Sequence, residues 1–569
     1  MLKQTIANIL KDVILLSSEE IEQLLEVPPN AELGDIAFPC FILAKKYKKN
    51  PSIIAAELVE QLKNDLKLDN INIQAHGSYI NFFFETKVWS EKLLNSILQE
   101  DFTKLDIGNN ERIIIDMSSP NIAKPFGIGH LRSTMIGNAL YHIYKVAGYD
   151  AVRVNHLGDW GTQFGKQITA YKRWGDPQKM KENAMHECLQ LYVKFHEEAE
   201  QDPELEKEAR LWFKKLENGD EEATKLWNYF IELSLKEFKM MYEKLGVDFD
   251  HYLGESFYND KMEPVVIELK EKGLLEESEG AMVVRLEELD MPPCLILKSD
   301  GTTIYPTRDL ATAIYRHEQM KGSKILYVVG AEQQLHFKQV FAVLDKMGKG
   351  WSSDCEHIPF GLMKFEGKKM STRRGKVIFL EKVLEEAVTK AKEIINQKNP
   401  NLFNKDEVAE AIGIGSVIFN DLKNNRVQEV DFSLEDALNF EGETGPYVQY
   451  TYARTQSLLE KGDWDETWKS THSSIVNGDY LKDQSSWNLT KELMNFPNII
   501  KLTLNKNEPS VVARYALEVA KKFNRYYNQV RINVEDTEEK KSKLVLTFAT
   551  GKILKQALQC LGLQSPSKI

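Results

Sequence analysis

ERIIIDMSSPNIAKPFGIGH, residues 111–130, decides the fold. Its apolar run III is typical of a buried strand, and the polar SSPN that follows predicts a turn. The next segment, HLRSTMIGNALYHIYKVAG (residues 130–148), predicts a helix, and AVRVNHLGDWG (residues 151–161) predicts a second strand. Strand, turn, helix and strand in this order predict a parallel, doubly wound sheet of the Rossmann type.

The regions outside this stretch differ in pattern, which predicts a multidomain chain of α/β and all-α parts. Residues before it alternate helical segments with short aromatic strands such as SYINFFF (Ser78–Phe84). A charged helical stretch interrupts the α/β pattern, which resumes at KILYVVGAEQQ (residues 324–334). The predicted parts are an N-terminal α+β appended domain at 1–105, a Rossmann-type core at 106–380 with a helical insertion at about 176–250, a helical connecting region at 381–440 and a C-terminal helical bundle at 441–569.

Composition excludes several classes of protein. The chain has 569 residues, 42% of them hydrophobic, and no apolar run is long enough to predict a membrane span. Its five cysteines are scattered without a C-x-x-C pair, so we expect no metal site and a reducing, cytoplasmic environment. The formal charge of −12 argues only mildly against a nucleic-acid partner, because local patches contact phosphates.

The segment PNIAKPFGIGH has the features of a phosphate-binding loop. Gly127 and Gly129 would let the backbone approach a ligand, and His130 lies where the loop becomes a helix. Amides at a helix start attract phosphate, and Lys124 adds a cation. The alternative is a tight turn with a capping histidine, and the sequence alone leaves both open.

A second segment, KKMSTRRGK (residues 368–376), packs cations around a serine and a threonine. It is either a solvated basic loop or a second phosphate-binding loop. Together the two loops would hold a triphosphate from two sides, and stabilise charge developing at the α-phosphate. The predicted ATP-binding residues of this loop are Lys369, Met370, Ser371, Thr372 and Arg373.

These two loops resemble the signatures of class I aminoacyl-tRNA synthetases, usually written HIGH and KMSKS. The flanking words SSPNIAKPFGIGHLRST, LGDWGTQFG, TTIYPTRDLATA and GPYVQYTYAR resemble arginyl-tRNA synthetases in particular. Two positions depart from that pattern: Gly127 replaces the first histidine, and Thr372 replaces the second lysine. We expect Lys124 and the pair Arg373/Arg374 to compensate.

The resemblance implies a pocket for arginine, in which Tyr305 and Asp309 recognise the guanidinium. A planar, always-charged guanidinium pairs best with carboxylates. Asp116 stands where a glutamate is common in the family. The residues that the resemblance assigns to the binding of arginine are Asp116, Ser118, Asn121, Tyr305, Asp309 and Gln333. From the residues alone, Asp309 could instead be a helix N-cap, Asp116 and Asn121 turn residues, and Gln333 an ordinary loop residue.

The resemblance also implies residues that contact tRNA. On the C-terminal helix, Phe523 and Tyr527 match stacking aromatics of the anticodon-reading bundle, beside Lys521, Lys522 and Arg525. The alternative is an ordinary helix-bundle core with a solvated basic face. In the N-terminal domain, Asn81 and Phe82 are candidates for contact with the tRNA elbow, and the chain end at Ile569 is a candidate for the anticodon loop.

Several histidines and one aspartate stay ambiguous. His156 and Asp159 could contact ATP or close a turn. By contrast, His317, His336 and His357 have no ligand-spaced partners, and we interpret them as structural or surface groups.

The implied activity is the formation of arginyl-adenylate from L-arginine and ATP with Mg²⁺, followed by transfer of arginine to the 3′ end of its tRNA. We expect this activation to require bound tRNA. We also expect that the chain has no editing domain and no membrane partner, and that it is a monomer. A class I synthetase for another amino acid, such as cysteine, is one alternative. A non-catalytic tRNA-binding paralogue is the other, and only the departures at Gly127 and Thr372 favour it.

Overall fold

The computed structural model describes residues 2–63, 70–98, 100–365, 378–469 and 476–569. The chain divides into two compact units. One unit comprises Met1–Thr103, Arg454–Asn498 and Glu518–Ile553, and the other comprises Lys104–Ala453, Ile499–Leu517 and Leu554–Ile569.

The N-terminal residues form helices around a small antiparallel sheet with the strand order β1-β3-β2. The strand β3 is the aromatic segment noted in the sequence, and it buries Ile80, Phe82 and Phe84. The elements are α1 (Leu2–Leu10), α2 (Ser18–Leu24), β1 (Ile36–Pro39), α3 (Ala44–Tyr47), α4 (Pro51–Leu62), β2 (Ile71–His76), β3 (Tyr79–Phe84) and α5 (Thr86–Leu98).

The second unit carries the main sheet and the helices that cover it. Its elements are β4 (Arg112–Asp116), α6 (Ile128–Val146), β5 (Asp150–Asn155), α7 (Thr162–Trp174), α8 (Pro177–Glu182), α9 (Ala184–Ala199), α10 (Glu204–Glu217), α11 (Glu221–Leu245), β6 (His251–Tyr252), α12 (Met262–Glu271), β7 (Glu276–Ser278), β8 (Ala281–Val284), β9 (Cys294–Leu297), α13 (Tyr305–Glu318), β10 (Lys324–Gly330), α14 (Gln334–Lys346), β11 (Cys355–Phe360), β12 (Met363–Phe365), α15 (Leu380–Lys398), α16 (Lys405–Leu422), β13 (Val430–Phe432) and α17 (Leu434–Ala437).

The main sheet has five parallel strands in the order β11-β10-β4-β5-β6, which confirms the predicted doubly wound core. Its strands are nearly continuous apolar runs because both faces are covered; Ile113, Ile114 and Ile115 of β4 are all buried. The strand order reverses between β4 and β10. Ligands of such sheets bind beyond the carboxyl ends of the strands at this reversal. The residues after Asp116 and after Gly330 are therefore where a site is expected.

Two features of this unit lie beside the main sheet. The charged stretch of the sequence forms four helices, α8 to α11, before the chain returns to the sheet at β6. A three-stranded antiparallel sheet, β7-β8-β9, precedes α13 and was not predicted.

The remaining chain is helical, as predicted for the C-terminal region. Its helices are α18 (Gly445–Lys461), α19 (Gln484–Leu493), α20 (Phe496–Lys506), α21 (Ser510–Gln529) and α22 (Thr537–Cys560). Across the described ranges, we find no helix with the length and apolar character needed to cross a membrane.

Candidate active site

The loop after β4 is held in a strained conformation. Ser118, Ser119 and Ala123 all have positive φ angles, of 71°, 49° and 59°. Residues with side chains rarely adopt this region, and such strain persists only where the surroundings impose it. Three such residues within six positions mark this loop as a candidate site.

Hydrogen bonds from neighbouring elements impose that conformation. The Ser118 amide donates to Ser133 Oγ at 2.9 Å, and the Ser118 hydroxyl lies 2.8 Å from Tyr242 Oη. The Ser119 amide donates to Asn155 Oδ1 at 3.2 Å. Ser118 is buried and its hydroxyl is engaged inside the protein, so it supports the loop and does not project into an open pocket.

His130 lies in the first turn of α6, directly after this loop. Its Nδ1 accepts a hydrogen bond from the Gly127 amide at 3.1 Å, so in the neutral ring the proton is on Nε2. Burial, together with the charge of Lys124, lowers the His130 pKa to about 4. The ring is therefore neutral near pH 7 and offers one N–H donor at a helix N-terminus, as a phosphate oxygen requires.

Neither glycine of this segment is explained by backbone conformation. Gly127 has φ −86° and Gly129 is helical, and both are angles that any residue adopts. The Lys124 ammonium lies 5.2 Å from the centre of the Tyr192 ring on α9. Its predicted role at a phosphate stays a prediction.

Asp116 ends β4 and forms a buried ion pair. Its Oδ2 accepts from Arg316 Nη1 at 2.7 Å, and its Oδ1 accepts from Ser119 Oγ at 3.0 Å. Arg316 is fully buried, and the negative charge of Asp116 holds its pKa above the ordinary value despite burial. Both carboxylate oxygens are thus occupied internally. The geometry does not support the predicted direct contact of Asp116 with arginine, and we assign it to the support behind the pocket.

Several buried polar atoms surround this pair. Within the described chain, His156 Nδ1 and Tyr327 Oη have no hydrogen-bond partner, whereas the Tyr258 hydroxyl interacts with the Arg316 guanidinium. Burial lowers the pKa of His156, so its ring is neutral. The two explanations offered for His156 both stay open.

Helix α13 presents Tyr305 and Asp309 on one face, as their four-residue spacing predicts. Leu310, Ala311 and Ala313 of the same helix pack into a buried cluster that includes Ile114 and Val154 of the main sheet. Tyr305 is the first residue of the helix and is 60% exposed. The N-cap is Ile304, so the alternative that Asp309 is an N-cap is wrong.

Asp309 has a partner that the sequence did not reveal. Its Oδ2 lies 2.5 Å from Nε2 of His336, on α14. The interpretation of His336 as a structural or surface group is therefore incomplete. The other two histidines do fit that interpretation, because His317 stacks on Trp351 and His357 bonds to the carbonyl of Val329.

Glu255 is the principal residue that the sequence analysis missed. It follows the two-residue strand β6 in a 3₁₀ helix, and its side chain is 16% exposed. Burial, together with the negative charges of Asp309 and Asp159, raises the Glu255 pKa to about 7 against the opposing charge of Arg308. The Arg308 guanidinium is 3.8 Å from Glu255 Oε2. Glu255, Asp309 and Tyr305 interact electrostatically with one another, and we call this group the candidate arginine pocket. A bound cation would relieve the repulsion between its two carboxylates.

Asp159 is bonded to the segment that follows β6, and the two explanations offered for it both stay open. Its carboxylate accepts from the Ser256 amide at 2.8 Å and from the Ser256 hydroxyl at 2.7 Å. Asn121 packs against Gly158, where a Cβ would collide with Asn121 Oδ1. Gln333 is exposed in the turn after β10, at the carboxyl edge of the sheet.

The segment predicted to be the second phosphate-binding loop lies outside the described residues. This holds for every predicted residue in it: Lys369, Met370, Ser371, Thr372, Arg373 and Arg374. The described chain on its far side is tied to the first loop, since Phe379 forms a β-bridge with Gly127.

The residues predicted to contact tRNA differ in exposure. Tyr527 is 40% exposed, and the Arg454 guanidinium lies 4.8 Å from its ring centre. Phe523 is fully buried in the helical core, and Asn81 and Phe82 are 4% and 0% exposed. A base cannot stack on a buried ring, so the predicted contacts of Phe523, Asn81 and Phe82 are not possible in this conformation.

Ile569 is held near the connecting helices. Its carbonyl accepts a hydrogen bond from Asn399 Nδ2 at 3.4 Å, a residue directly after α15. A contact of Ile569 with the anticodon loop stays a prediction.

Two further observations concern metals and thiols. No group of three or more histidine, cysteine, aspartate or glutamate residues in the described segments could hold a metal ion. All five cysteines are free and buried.

Family comparisons divide the chain into three matched parts. Residues 1–84 match the arginyl tRNA synthetase N terminal domain, and residues 93–434 match the catalytic domain of class I tRNA synthetases (R). Residues 448–569 match the DALR anticodon binding domain.

Relatives of similar length match along the whole chain. The chain is 53% identical to arginine–tRNA ligase 2 of Bacillus anthracis, with 97% of each chain covered. It is 51% identical to arginine–tRNA ligase of Streptococcus pneumoniae (strain CGSP14), with 100% of each covered. Among solved structures, arginyl-tRNA synthetase of Plasmodium falciparum matches with a TM-score of 0.80 at 26% identity, over 100% of this chain and 99% of that one. The Thermus thermophilus arginyl-tRNA synthetase has the same fold, with a TM-score of 0.83 at 24% identity, and the coverage is again 100% and 99%.

Proposed function

The chain belongs to the class I arginyl-tRNA synthetases, and on that premise we propose that it is an arginine–tRNA ligase. It activates L-arginine with ATP, giving arginyl-adenylate and pyrophosphate, and then transfers the arginyl group to the 3′ end of its tRNA. The pocket formed by Glu255 and Asp309 is the observation that carries this proposal.

That pocket matches the chemistry of a guanidinium. Two carboxylates, of which one has a pKa raised to about 7, interact electrostatically with the exposed Tyr305. A guanidinium supplies five donors and a permanent charge, so it satisfies both carboxylates at once. Neutral side chains of similar size would not compensate the negative charge of these part-buried carboxylates, which is how such a site rejects them without proofreading. We therefore expect no editing activity.

The activation step uses the N-terminus of α6. ATP enters with Mg²⁺ on its triphosphate, because magnesium is usually bound through substrate phosphates and water. Nε2–H of neutral His130 donates to a phosphate oxygen. A carboxylate oxygen of arginine attacks the α-phosphorus and pyrophosphate leaves. The segment at 368–376, with Lys124, would supply the cations for the charge that develops.

A nucleophile in the protein is not required for the second step. The ribose hydroxyl of the terminal tRNA nucleotide attacks the arginyl carbonyl, and AMP leaves as the mixed anhydride breaks. Asn121 and Gln333, at the reversal of strand order, are the proposed contacts for the amino-acid end of arginine.

The proposed tRNA contacts follow exposure. Tyr527, with Arg454 against its ring, would stack an unpaired base of the anticodon loop, since residues 448–569 match an anticodon-binding model. In the N-terminal domain, the exposed ring of Phe41 packs edge-on against Tyr79 and replaces Asn81 as candidate for the elbow. The four-part division predicted from the sequence would then assign 1–105 to the elbow, 106–380 to chemistry and 441–569 to the anticodon, with 381–440 connecting them. We propose that the enzyme works as a monomer in the cytoplasm, where free cysteines are stable.

Charging of total tRNA with each of the twenty amino acids tests this function. We expect transfer of arginine alone, and its loss in Asp309→Ala. Glu318→Gln is the matched control, because Glu318 is an exposed carboxylate at the end of the same helix. Charging with a different amino acid would identify another class I synthetase. Tight tRNA binding without any charging would identify a non-catalytic paralogue.

A further inference from the structure

Helix α6, which carries His130 in its first turn, is held at both ends by distant segments of the same compact unit. Two residues after His130, Arg132 is 1% exposed and pairs with Asp421 of α16 at 2.8 Å. Arg132 Nη1 also donates to the carbonyls of Gly361 and Gln428, at 2.6 and 2.8 Å. One guanidinium thereby joins α6 to three other stretches of chain.

The other end of α6 is tied to the connection between α20 and α21. Tyr144 Oη donates to Asn507 Oδ1 at 2.8 Å, and both groups are buried. We call residues 506–508 the connecting segment. It belongs to the same compact unit as the main sheet.

Arg426 is the residue that joins these two attachments. Its Nε donates to the Asn507 carbonyl at 3.1 Å, and its Nη2 donates to the Lys506 carbonyl at 3.4 Å. Nη1 of the same guanidinium donates to the Pro359 carbonyl, also at 3.4 Å. The Arg426 amide lies 3.3 Å from both carboxylate oxygens of Glu508.

Arg426 also contacts the chain that Arg132 holds. Its carbonyl accepts from the Gly361 amide at 2.9 Å, while the Gly361 carbonyl accepts from Arg132. A Cβ at Gly361 would lie 2.6 Å from the Gln428 carbonyl, so the two stretches approach as closely as backbone allows. The connecting segment is therefore linked to α6 by a continuous series of direct hydrogen bonds, which runs through Arg426, Gly361 and Arg132.

We propose that Arg426 is a positioning residue for the activation step, which fixes the N-terminus of α6, and with it His130, by joining the connecting segment to Pro359–Gly361. This inference rests on the proposed function, because it needs His130 to contact ATP. The arginine pocket lies on α13 and after β6, outside this path. Replacing Arg426 should therefore weaken the binding of ATP and leave the binding of arginine unchanged.

The test is Arg426→Gln in the full-length enzyme, assayed by ATP–pyrophosphate exchange with tRNA present. A displacement of a binding group by about 1 Å costs up to about 100-fold, so we expect KM for ATP to rise by about 10-fold or more. KM for arginine should change by less than about two-fold. Arg426→Lys keeps the charge but not the fork of donors, so it should restore only part of the loss.

Arg514→Gln is the matched control. Arg514 Nε donates to the Lys423 carbonyl at 3.3 Å, so it also links α21 to the end of α16, but it makes no contact with Pro359–Gly361. We expect this variant to keep the wild-type KM for ATP.

Two results would overturn the inference. The first is a wild-type KM for ATP in Arg426→Gln. The second is a parallel change of both KM values and of the melting temperature, which would show a purely structural role. Failure of the wild-type enzyme to charge arginine would instead refute the proposed function, so the two failures are distinguishable.

Discussion

Raising the pH from 6 to 8 should strengthen the binding of L-arginine about ten-fold, because Glu255 must lose its proton before it pairs with a guanidinium. The Glu255 side chain is 16% exposed, and burial beside Asp309 and Asp159 raises its pKa to about 7 despite the nearby Arg308. A carboxyl of pKa 7 is ionised in about one molecule in eleven at pH 6 and in about ten of eleven at pH 8. The fraction of binding-competent protein therefore rises about ten-fold.

Isothermal titration of L-arginine at pH 6, 7 and 8 measures this effect directly. A bound guanidinium stabilises the ionised carboxylate, so binding at pH 6 releases close to one proton. Titrations in two buffers of different ionisation enthalpy count that proton. Glu255→Gln keeps the shape of the side chain but cannot ionise, so its dissociation constant should vary little with pH. It should also be weaker than wild type at pH 8 by about 10-fold, the value of one charge-assisted hydrogen bond.

Glu318→Gln, at the exposed end of α13, is the control and should follow the wild-type profile. A dissociation constant that stays level from pH 6 to 8 in the wild type would refute the reasoning. A ten-fold strengthening of arginine binding from pH 6 to 8 that persists in Glu255→Gln would also refute it, since a group other than Glu255 would then be responsible.

Three further predictions concern the pocket, the ATP site and the tRNA surface. Asp309→Asn should lower kcat/KM for arginine by about 10- to 150-fold, with little change in melting temperature, because a charge-assisted pair is lost. An unchanged kcat/KM would show that Asp309 does not contact arginine. His130→Gln should slow ATP–pyrophosphate exchange. The wild-type rate should show no titration of His130 between pH 6 and 9, because the His130 pKa is about 4. An inflection in that pH range that disappears in the variant would contradict the role of His130 as a neutral donor. Tyr527→Ala should raise KM for tRNA by about five-fold and leave the melting temperature unchanged. Phe523→Leu should instead lower the free energy of unfolding by about 1 kcal/mol and leave KM for tRNA unchanged. The reverse pattern would identify Phe523 as the stacking residue.

The parts of this molecule that follow from local sequence were predictable. The run of isoleucines before Asp116, the polar turn and the following helix lie on neighbouring positions, and they fix where the parallel sheet begins. Tyr305 and Asp309 share a face because a helix repeats every 3.6 residues. Helical periodicity also explains why the insertion could be recognised as helical.

The contacts between distant residues were not predictable in this way. Asp116 meets Arg316, and Asp309 meets His336, only because the folded sheet brings separate helices together. Glu255 follows a strand of two residues, too short to leave a periodic pattern.

Helix α21 shows a related limit. Phe523 and Tyr527 are four residues apart, yet one is fully buried and the other is 40% exposed. Helical spacing predicts that two side chains point in similar directions, but the neighbouring helices decide where the buried face ends.

The most direct test of a charge-selective arginine pocket compares the binding of L-arginine with that of L-citrulline. Citrulline has nearly the same shape, but a neutral urea replaces the guanidinium, so it cannot neutralise Glu255 and Asp309. At pH 8 we expect citrulline to bind at least about 100-fold more weakly than arginine, because it brings no positive charge to the two part-buried carboxylates. The difference in affinity between the two ligands should be smaller in Glu255→Gln. Binding of both ligands with similar affinity would contradict recognition of arginine by these two carboxylates.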